Sequence, residues 1–316
     1  MPNQLDCIVC GSCVVDLLCR PVRLDQPIGA GVLHLTDAVV LTGGGITINA
    51  GVTMARLGLS TGVLSHVGDD EWAPVVRNLL KQESIDDSLL TVHPTGQTST
   101  TVVAIDGSGE RSFFHCVGAP KFLDAESLLK HLDVFANTTM LLLGYYSLMP
   151  LLEPDVPQVL ERIREVGCKT ALDAGGTGGT MEPLDRILPH LDLYVPSHGE
   201  AVHQTKLDDP QRIIEFYRGL GAPGLLGVKL GTRGVLLSPQ KGEYVHVDAV
   251  KAPGPVVDTT GAGDSFFAGL IAGLVRGLSV EAAGRLGAAA AACCVTAVGG
   301  STGGRDADFT YGLAGL

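Results

Sequence analysis

The residues with the clearest chemical potential lie in the segment 258–269, whose sequence is DTTGAGDSFFAG. Its glycine-rich turn leads directly into an apolar stretch that predicts a helix, and such a turn presents backbone N–H groups where the helix dipole favours an anion. Asp264 falls in the first helical turn, beside the same place. An anion cradle next to a carboxylate suits phosphoryl transfer to an alcohol, because the N–H groups neutralise developing phosphate charge and the carboxylate takes the hydroxyl proton. The structural alternative is an acid that merely stabilises a helix start.

The same segment resembles the C-terminal signature of the PfkB/ribokinase-like carbohydrate kinases. Four further segments resemble other motifs of that family, in the family's order: the glycines and asparagine of 43–49, VGDD at 67–70, GER at 109–111 and VKLGTRG at 228–234. The resemblance therefore covers almost the whole chain. It implies ATP as the phosphoryl donor, with Mg2+ bridging its phosphates.

The resemblance also assigns roles to individual positions. Asp264 would be the catalytic base, and the anion hole would be formed by Gly261, Ala262 and Gly263. The acceptor would contact Asp16, Gly44, Gly45 and Asn49. The nucleotide would contact Ser197, Lys229, Gly231, Thr232, Gly234 and Gly263. Glu200 would serve the magnesium ion, and a loop for a monovalent cation such as potassium (K+) would include Asp258 and Thr260.

Some of these positions have structural alternatives. Asp16 could be a surface acid at a strand end, Gly45 could simply begin a helix, and the glycines of 231–234 could only form a turn between strands. Tyr146, next to Tyr145 at the end of a predicted strand, could line the acceptor pocket or pack in the core.

The chain also departs from the family pattern. Ser197 stands where an Asn-x-x-Glu element often has asparagine, while Glu200 is retained, which puts the handling of magnesium in question. Val14, Ile46 and Ala288 replace a polar residue, a lysine and an asparagine that are common in relatives. Ribose is therefore not the acceptor that the sequence favours.

Apolar, β-branched runs alternate with helical patterns through most of the chain. This alternation predicts an α/β fold with a doubly wound, mainly parallel sheet and helices on both faces, in which ligands bind at the carboxyl ends of the strands. Strands are predicted at 7–14, 61–67, 100–105, 113–117, 140–145, 170–173, 193–195, 224–230, 235–238 and 244–247. Helices are predicted at 47–57, 71–82, 155–166, 210–220, 263–276 and 280–298. The segments 21–40 and 97–117 interrupt the alternation and predict a small β-sheet lid on a single domain of residues 1–316.

The composition limits the class of protein. The formal net charge of −12 argues against non-specific nucleic-acid binding, which needs a basic surface. The chain starts without a signal-peptide pattern and has no uncharged apolar run of membrane-spanning length, so we expect a cytoplasmic protein. Cys7, Cys10 and Cys13 have the spacing of a metal site. Side chains three apart in a strand point to opposite faces, however, which favours buried thiols.

These features predict an ATP-dependent kinase that phosphorylates a hydroxymethyl group of a sugar or sugar acid, under a lid that excludes water. The nearest alternative is a nucleoside kinase on the same fold, whose base would be clamped by Phe113, Phe114 and Tyr146. The second is a non-catalytic sugar-binding sensor, against which the intact Asp264 argues. Lid sheets expose apolar faces, so we expect a homodimer.

Overall fold

The computed structural model describes residues 4–26, 29, 31–175 and 179–316. Its strands are β1 (Leu5–Cys10), β2 (Val14–Cys19), β3 (Val40–Gly44), β4 (Thr61–Val67), β5 (Asp86–Val92), β6 (Ser99–Ile105), β7 (Arg111–Cys116), β8 (Thr138–Gly144), β9 (Lys169–Asp173), β10 (Leu193–Tyr194), β11 (Leu225–Lys229), β12 (Val235–Ser238) and β13 (Val245–Val247). Its helices are α1 (Gly45–Arg56), α2 (Ala73–Gln82), α3 (Ala125–Leu129), α4 (Leu132–Phe135), α5 (Val156–Glu165), α6 (Met181–Ile187), α7 (His198–Thr205), α8 (Pro210–Gly219), α9 (Ala262–Val275), α10 (Val280–Cys294) and α11 (Ala307–Leu313).

The larger sheet has nine strands in the order β13-β12-β11-β10-β9-β8-β1-β4-β5. Every pairing from β5 to β11 is parallel, and the β11–β12 and β12–β13 pairings at one edge are antiparallel. The strand order reverses its direction of growth at β1, as a doubly wound sheet requires. The predicted fold class is confirmed.

Apolar cores cover both faces of this sheet. Along β1, Ile8 and Cys10 point into a core with α5 and α8, whereas Cys7 and Val9 point into a core with α1, α9 and α10. This alternation is the period of two that a strand imposes. It also separates the thiols of Cys7 and Cys10, which lie in cores on opposite faces of the sheet.

The smaller sheet has four strands in the order β3-β2-β6-β7. The sequence predicted one strand over residues 7–14, but the structure has two strands there: β1 ends at Cys10, and β2 begins at Val14 in the smaller sheet. The chain turns at Gly11, whose φ of 147° favours glycine, and a Cβ there would lie 2.4 Å from the Gly144 carbonyl oxygen. Asp16 therefore belongs to the smaller sheet. Of the predicted lid segment 21–40, only Val40 lies in a strand, and residues 27, 28 and 30 lie outside the described residues.

Helices α9 and α10 pack closely because small residues face each other. A Cβ on Gly269 would lie 2.8 Å from the Gly287 Cα, and one on Gly273 would lie 2.7 Å from the Ala283 Cα. The absence of larger side chains at these positions lets the two helix backbones approach closely. Within the described part of the chain, α10 and the other helices are too short or too polar to traverse a bilayer.

Candidate active site

The carboxyl ends of four neighbouring strands supply polar side chains to one place. Asp173 and Lys229 are the last residues of β9 and β11, and Tyr145 and Ser197 follow β8 and β10. Because β8 to β11 are parallel neighbours, these ends meet at one edge of the sheet, where α/β proteins bind ligands.

Asp264 lies in the first turn of α9, opposite these strand ends, and is 5% exposed. The Asn49 Nδ2 donates to its Oδ2 at 2.8 Å, and the Tyr145 hydroxyl donates to its Oδ1 at 2.6 Å. Burial and the nearby Asp173 carboxylate raise the pKa of Asp264 to about 6, although these two hydrogen bonds and Lys229 act in the opposite direction. The carboxylate is thus held in one orientation and accepts a proton near neutral pH.

The Lys229 ammonium group faces three carboxyl groups. Its Nζ lies 3.2 Å from the Asp173 Oδ2. Burial lowers the pKa of Lys229, but Asp173, Glu200 and Asp264 outweigh that effect and raise it above its usual value. Burial raises the pKa of Glu200, with Asp173 adding to the increase and Lys229 opposing it. The cluster therefore carries more acidic than basic groups and favours a further cation.

Ser197 and Glu200 cap the start of α7 reciprocally. The Ser197 N–H donates to the Glu200 Oε2 at 2.6 Å, and the Glu200 N–H donates to the Ser197 Oγ at 3.3 Å. This is a capping box, which satisfies two backbone N–H groups of the helix start. The serine that departs from the family pattern therefore holds Glu200 in place.

Two cavities meet at Asp264. The smaller has a volume of about 210 Å³ and lies under the four-stranded sheet, whereas the larger has a volume of about 790 Å³ and lies along α9 and α10. Tyr145, Gly261 and Asp264 line both. Groups bound in the two cavities would therefore lie next to the same carboxylate.

The smaller cavity combines a polar floor with an acid from the smaller sheet. Asp16 lines it, and burial raises the pKa of that carboxyl to about 6. A Cβ on Gly44 would lie 2.0 Å from the Asp16 Oδ2, so glycine is required there for the carboxylate to keep its place. The Ser12 Oγ and the Asn49 Oδ1 are buried at this cavity with no hydrogen-bond partner among the described residues. These oxygens suit a polyhydroxylated ligand.

The inner face of the four-stranded sheet forms the roof of the smaller cavity. Alternate residues of three strands line it: Val14, Asp16 and Leu18 from β2, Thr101, Val103 and Ile105 from β6, and Arg111, Phe113 and His115 from β7. Phe114, which the sequence offered as part of a base clamp, falls between two of these and faces away. The strands that cover the smaller cavity, as the predicted lid would, are β2, β6 and β7.

The larger cavity has a polar end and an apolar end. Ser197, Glu200, Lys229 and Asp173 line the end nearest Asp264. The other end is lined by small and apolar residues, including Val250, Val256, Ala288, Ala292 and Val295. The predicted nucleotide residues Gly231, Thr232 and Gly234 also line this cavity. This polarity matches a nucleotide with its phosphates toward Asp264.

The loop before α9 has the geometry of an anion cradle. Gly261 has a φ of 73° and is the N-cap of the helix, and a Cβ on Gly263 would lie 3.4 Å from the Lys229 Nζ. The Ala262 N–H donates to the Thr259 carbonyl at 3.3 Å, so this predicted donor is partly engaged within the turn. Asp258 and Thr260, which were predicted to bind a monovalent cation, contact the guanidinium group of Arg111.

Most predicted site residues line these two cavities, but Gly44 and Tyr146 do not. Tyr146 is fully buried in the core beside α5, while Tyr145 faces the site. Tyr145 has a left-handed φ of 60°, which turns the chain so that successive side chains diverge.

The sequence prediction also missed three residues of the site, namely Asp173, Ser12 and Thr101. Asp173 ends a predicted strand, and that position is the signal by which it could have been found.

The acidic end of the larger cavity fits the magnesium ion that the sequence resemblance implies. Mg2+ prefers oxygen ligands and is commonly held by one or two carboxylates plus substrate phosphates. Glu200 and Asp173 provide such oxygens beside the anion cradle. Within the described ranges no three acidic, histidine or cysteine side chains form a complete metal-binding group, so phosphate oxygens would have to complete the set.

Comparison with known proteins agrees with this geometry. The chain matches the family model described as pfkB family carbohydrate kinase over residues 4–307. It is 32% identical to a fructokinase of Klebsiella pneumoniae across 84% of this chain and 83% of that protein, and 29% identical to an aminoimidazole riboside kinase of Salmonella typhimurium across 74% of each. The structure of Arabidopsis thaliana ribokinase with ribose and ATP superposes with a TM-score of 0.85 at 23% identity, covering 99% of this chain and 100% of that one. The chain described here belongs to the pfkB family of carbohydrate kinases.

Proposed function

We propose that this protein is an ATP-dependent kinase that transfers the γ-phosphoryl group of ATP to a hydroxymethyl group of a sugar or sugar acid. The observation that carries the proposal is the position of Asp264, buried where the smaller, hydroxyl-binding cavity meets the phosphate end of the larger one. Fructose is the first acceptor to test, because a fructokinase is among the relatives that match most of the chain.

In the proposed reaction Asp264 removes the proton from the acceptor hydroxyl. The acceptor oxygen forms a bond to the γ-phosphorus, the bond from that phosphorus to the β,γ-bridging oxygen breaks, and ADP leaves with the electron pair. The hydrogen bonds from Asn49 and Tyr145 keep the carboxylate pointed at the hydroxyl throughout. Burial of Tyr145 and the nearby Asp264 charge raise the tyrosine pKa well above its usual value, so its hydroxyl stays a donor.

The chain stabilises the phosphate from two sides. The start of α9 supplies N–H groups at Gly261 to Gly263, and Lys229 supplies a positive charge beside Gly263. Magnesium, held through Glu200 and Asp173, would supply Lewis-acid neutralisation of the β- and γ-phosphates when bound. The inner face of the four-stranded sheet would exclude water from the acceptor hydroxyl and so limit hydrolysis of ATP.

The proposal is tested by acceptor-dependent ADP formation. Fructose, ribose, 2-keto-3-deoxygluconate, tagatose phosphate, adenosine and inosine would be offered with ATP and Mg2+, and each phosphorylated product identified by mass spectrometry. We expect turnover with at least one sugar and little ADP without acceptor. ATP binding without any product across a broad panel would favour the sensor instead.

The Asp264→Asn variant links turnover to the proposed base. Asparagine is nearly isosteric and is tolerated at helix starts, so the fold and the affinity for ATP should persist, as measured by calorimetry. Because a positioned base contributes about 10²–10⁴-fold in rate, kcat should fall by a factor in that range. A folded variant that keeps more than about a tenth of the normal kcat would contradict the assignment.

A riboside is the second candidate acceptor, and the apolar part of the smaller cavity favours it. Leu18, Val103, Ile105 and Phe113 offer a surface on which a heterocyclic base could rest. An aminoimidazole riboside kinase is also among the relatives. A kcat/KM for aminoimidazole riboside or inosine that exceeds those for all free sugars would establish this candidate over the first.

A further inference from the structure

Arg111 joins the four-stranded sheet to the loop before α9. It is the first residue of β7, pairs with Ile105 at the hairpin end of the sheet, and lines the smaller cavity. Its Nη1 lies 2.8 Å from the Asp258 Oδ1 and donates to the Thr260 Oγ1 at 2.6 Å. The guanidinium therefore crosses the rim of the acceptor cavity to reach the loop that contains the anion cradle.

Asp258 ties that loop to the neighbouring one. Its carboxylate accepts from the Thr260 N–H at 2.6 Å and from the Gly299 N–H at 2.9 Å, and it is 4% exposed. Gly261, in the same loop, also lies close to the neighbouring loop, because a Cβ on it would lie 2.1 Å from the Gly300 carbonyl oxygen. Buried carboxylates are usually paired with a positive group.

The predicted potassium ion does not fit beside this carboxylate. Asp258 and Thr260 were its expected ligands, but the Arg111 Nη1 already lies within hydrogen-bond distance of both side chains. A cation cannot share that place with a guanidinium nitrogen. Among the ion pairs of the described residues, the pair with Arg111 is the one that Asp258 forms.

We propose that Arg111 is a positioning residue that supplies the positive charge of the anion-cradle loop in place of a monovalent cation. This inference rests on the proposed kinase function. Because Arg111 belongs to the four-stranded sheet and Asp258 to the main body, the contact exists only while the hairpin lies over the acceptor cavity. Closure of the hairpin over the acceptor is thereby coupled to the positioning of the N–H groups of Gly261 to Gly263.

Replacement of Arg111 should create a requirement for potassium. Rates of the wild type should be equal in potassium chloride and in tetramethylammonium chloride at matched ionic strength. In tetramethylammonium, kcat of Arg111→Met should fall by at least about tenfold, since truncating one member of a buried pair leaves the other charge unpaired. Potassium or methylguanidinium should restore part of that loss in the variant. The double variant Arg111→Met/Asp258→Asn should show no such rescue.

Thermal unfolding gives a readout that is independent of turnover. Potassium should raise the melting temperature of Arg111→Met saturably above its value in tetramethylammonium, and should leave the wild type unchanged. Arg23→Met is the matched control, because Arg23 follows β2 and, among the described residues, pairs only with the exposed Asp25. It should behave as the wild type in both salts. Arg111→Gln, which also loses the charge, provides the same comparison if the methionine variant does not fold.

Two results would overturn the inference: activation of the wild type by potassium, or an Arg111→Met variant with wild-type kcat in tetramethylammonium. Failure of the proposed function has a different signature, namely a wild type that phosphorylates no acceptor in either salt. In that case the melting temperatures still decide whether Arg111 stands in for a cation at Asp258.

Discussion

At the scale of single residues, Asp264 and Asp16 both have a pKa above the usual range of an aspartate. Burial raises the pKa of Asp264 and of Asp16 to about 6 each. Asp264 must be ionised to accept the hydroxyl proton, and Asp16 must be ionised to accept hydrogen bonds from a sugar strongly. Both groups are therefore active above this pKa and lose their function as the pH falls through it.

We predict that log kcat/KM for the acceptor falls with a slope of about two below about pH 6, because two ionised groups are needed in the free enzyme. The Asp16→Asn variant, measured against the same acceptor, should show a slope of about one, since one titration has been removed. An acid limb near pH 4, where an ordinary exposed carboxyl titrates, would contradict the environment described for both groups.

The Asp16→Asn variant should also separate acceptor binding from ATP binding. Hydrogen bonds to a charged group contribute about 1.5–3 kcal/mol, so the acceptor KM should rise by roughly tenfold or more. The KM for ATP should stay the same, because Asp16 lines only the smaller cavity. Asp25→Asn, at an exposed position after β2, is the control for an acid without this role. An unaltered acceptor KM would show that Asp16 does not hold the acceptor.

At the scale of elements, the start of α9 depends on a turn that only glycine makes without strain. Gly261 has a φ of 73°, and its Cβ position falls 2.1 Å from the Gly300 carbonyl oxygen. A side chain there would have to move backbone atoms of both loops. The anion cradle is therefore built by the contact between two loops as well as by the helix.

We predict that Gly261→Ala lowers the free energy of unfolding by more than about 1–2 kcal/mol, the cost of a left-handed residue with a Cβ alone. Its kcat should also fall, because the N–H groups of the cradle shift. Gly219→Ala is the matched control at the end of α8, where nothing lies within 4 Å of the added Cβ. That variant should change the stability by less than about 1 kcal/mol. Urea unfolding measures both, and equal stabilities would contradict the strained turn.

At the scale of the whole molecule, the outer face of the four-stranded sheet carries an apolar row. Leu41, Leu17, Val102 and Phe114 are direct cross-strand neighbours and run across all four strands. They alternate with the residues that line the smaller cavity, so the row faces away from the site. Leu41, Val102 and Phe114 are exposed. A continuous apolar row on a sheet face favours association, and a second copy of the same sheet offers an equivalent surface.

We predict that the protein is a homodimer through this face and that Phe114→Lys converts it to a monomer, as measured by sedimentation velocity. A lysine in the centre of an apolar interface would be buried without a partner. Phe216→Lys is the matched control, because Phe216 is an exposed phenylalanine on α8. It should leave the dimer intact. A monomeric wild type, or equal dissociation of both variants, would contradict the proposed interface.

Local patterns predicted the larger sheet better than the smaller one. The buried strands β4, β8, β9 and β11 are continuous apolar runs, and their positions agree with prediction to within a few residues. Strand β5 begins with two aspartates and lies at the sheet edge, so its composition lacks that signal. The break between β1 and β2 was missed because both strands are apolar and adjacent, and only the close approach of Gly11 to Gly144 separates them.

The sequence by itself determined the family and the fold class and predicted most of the residues that line the two cavities, because those depend on the order and type of residues along the chain. The glycine-rich turn with Asp264 and the strand-end positions of Lys229 and Ser197 are local features of this kind. Only the tertiary structure decided which of Tyr145 and Tyr146 faces the site, that Asp173 joins it, and that Arg111 pairs with Asp258 across 147 positions. Such contacts depend on the backbone turn at one residue and on the approach of distant segments, neither of which a local pattern encodes.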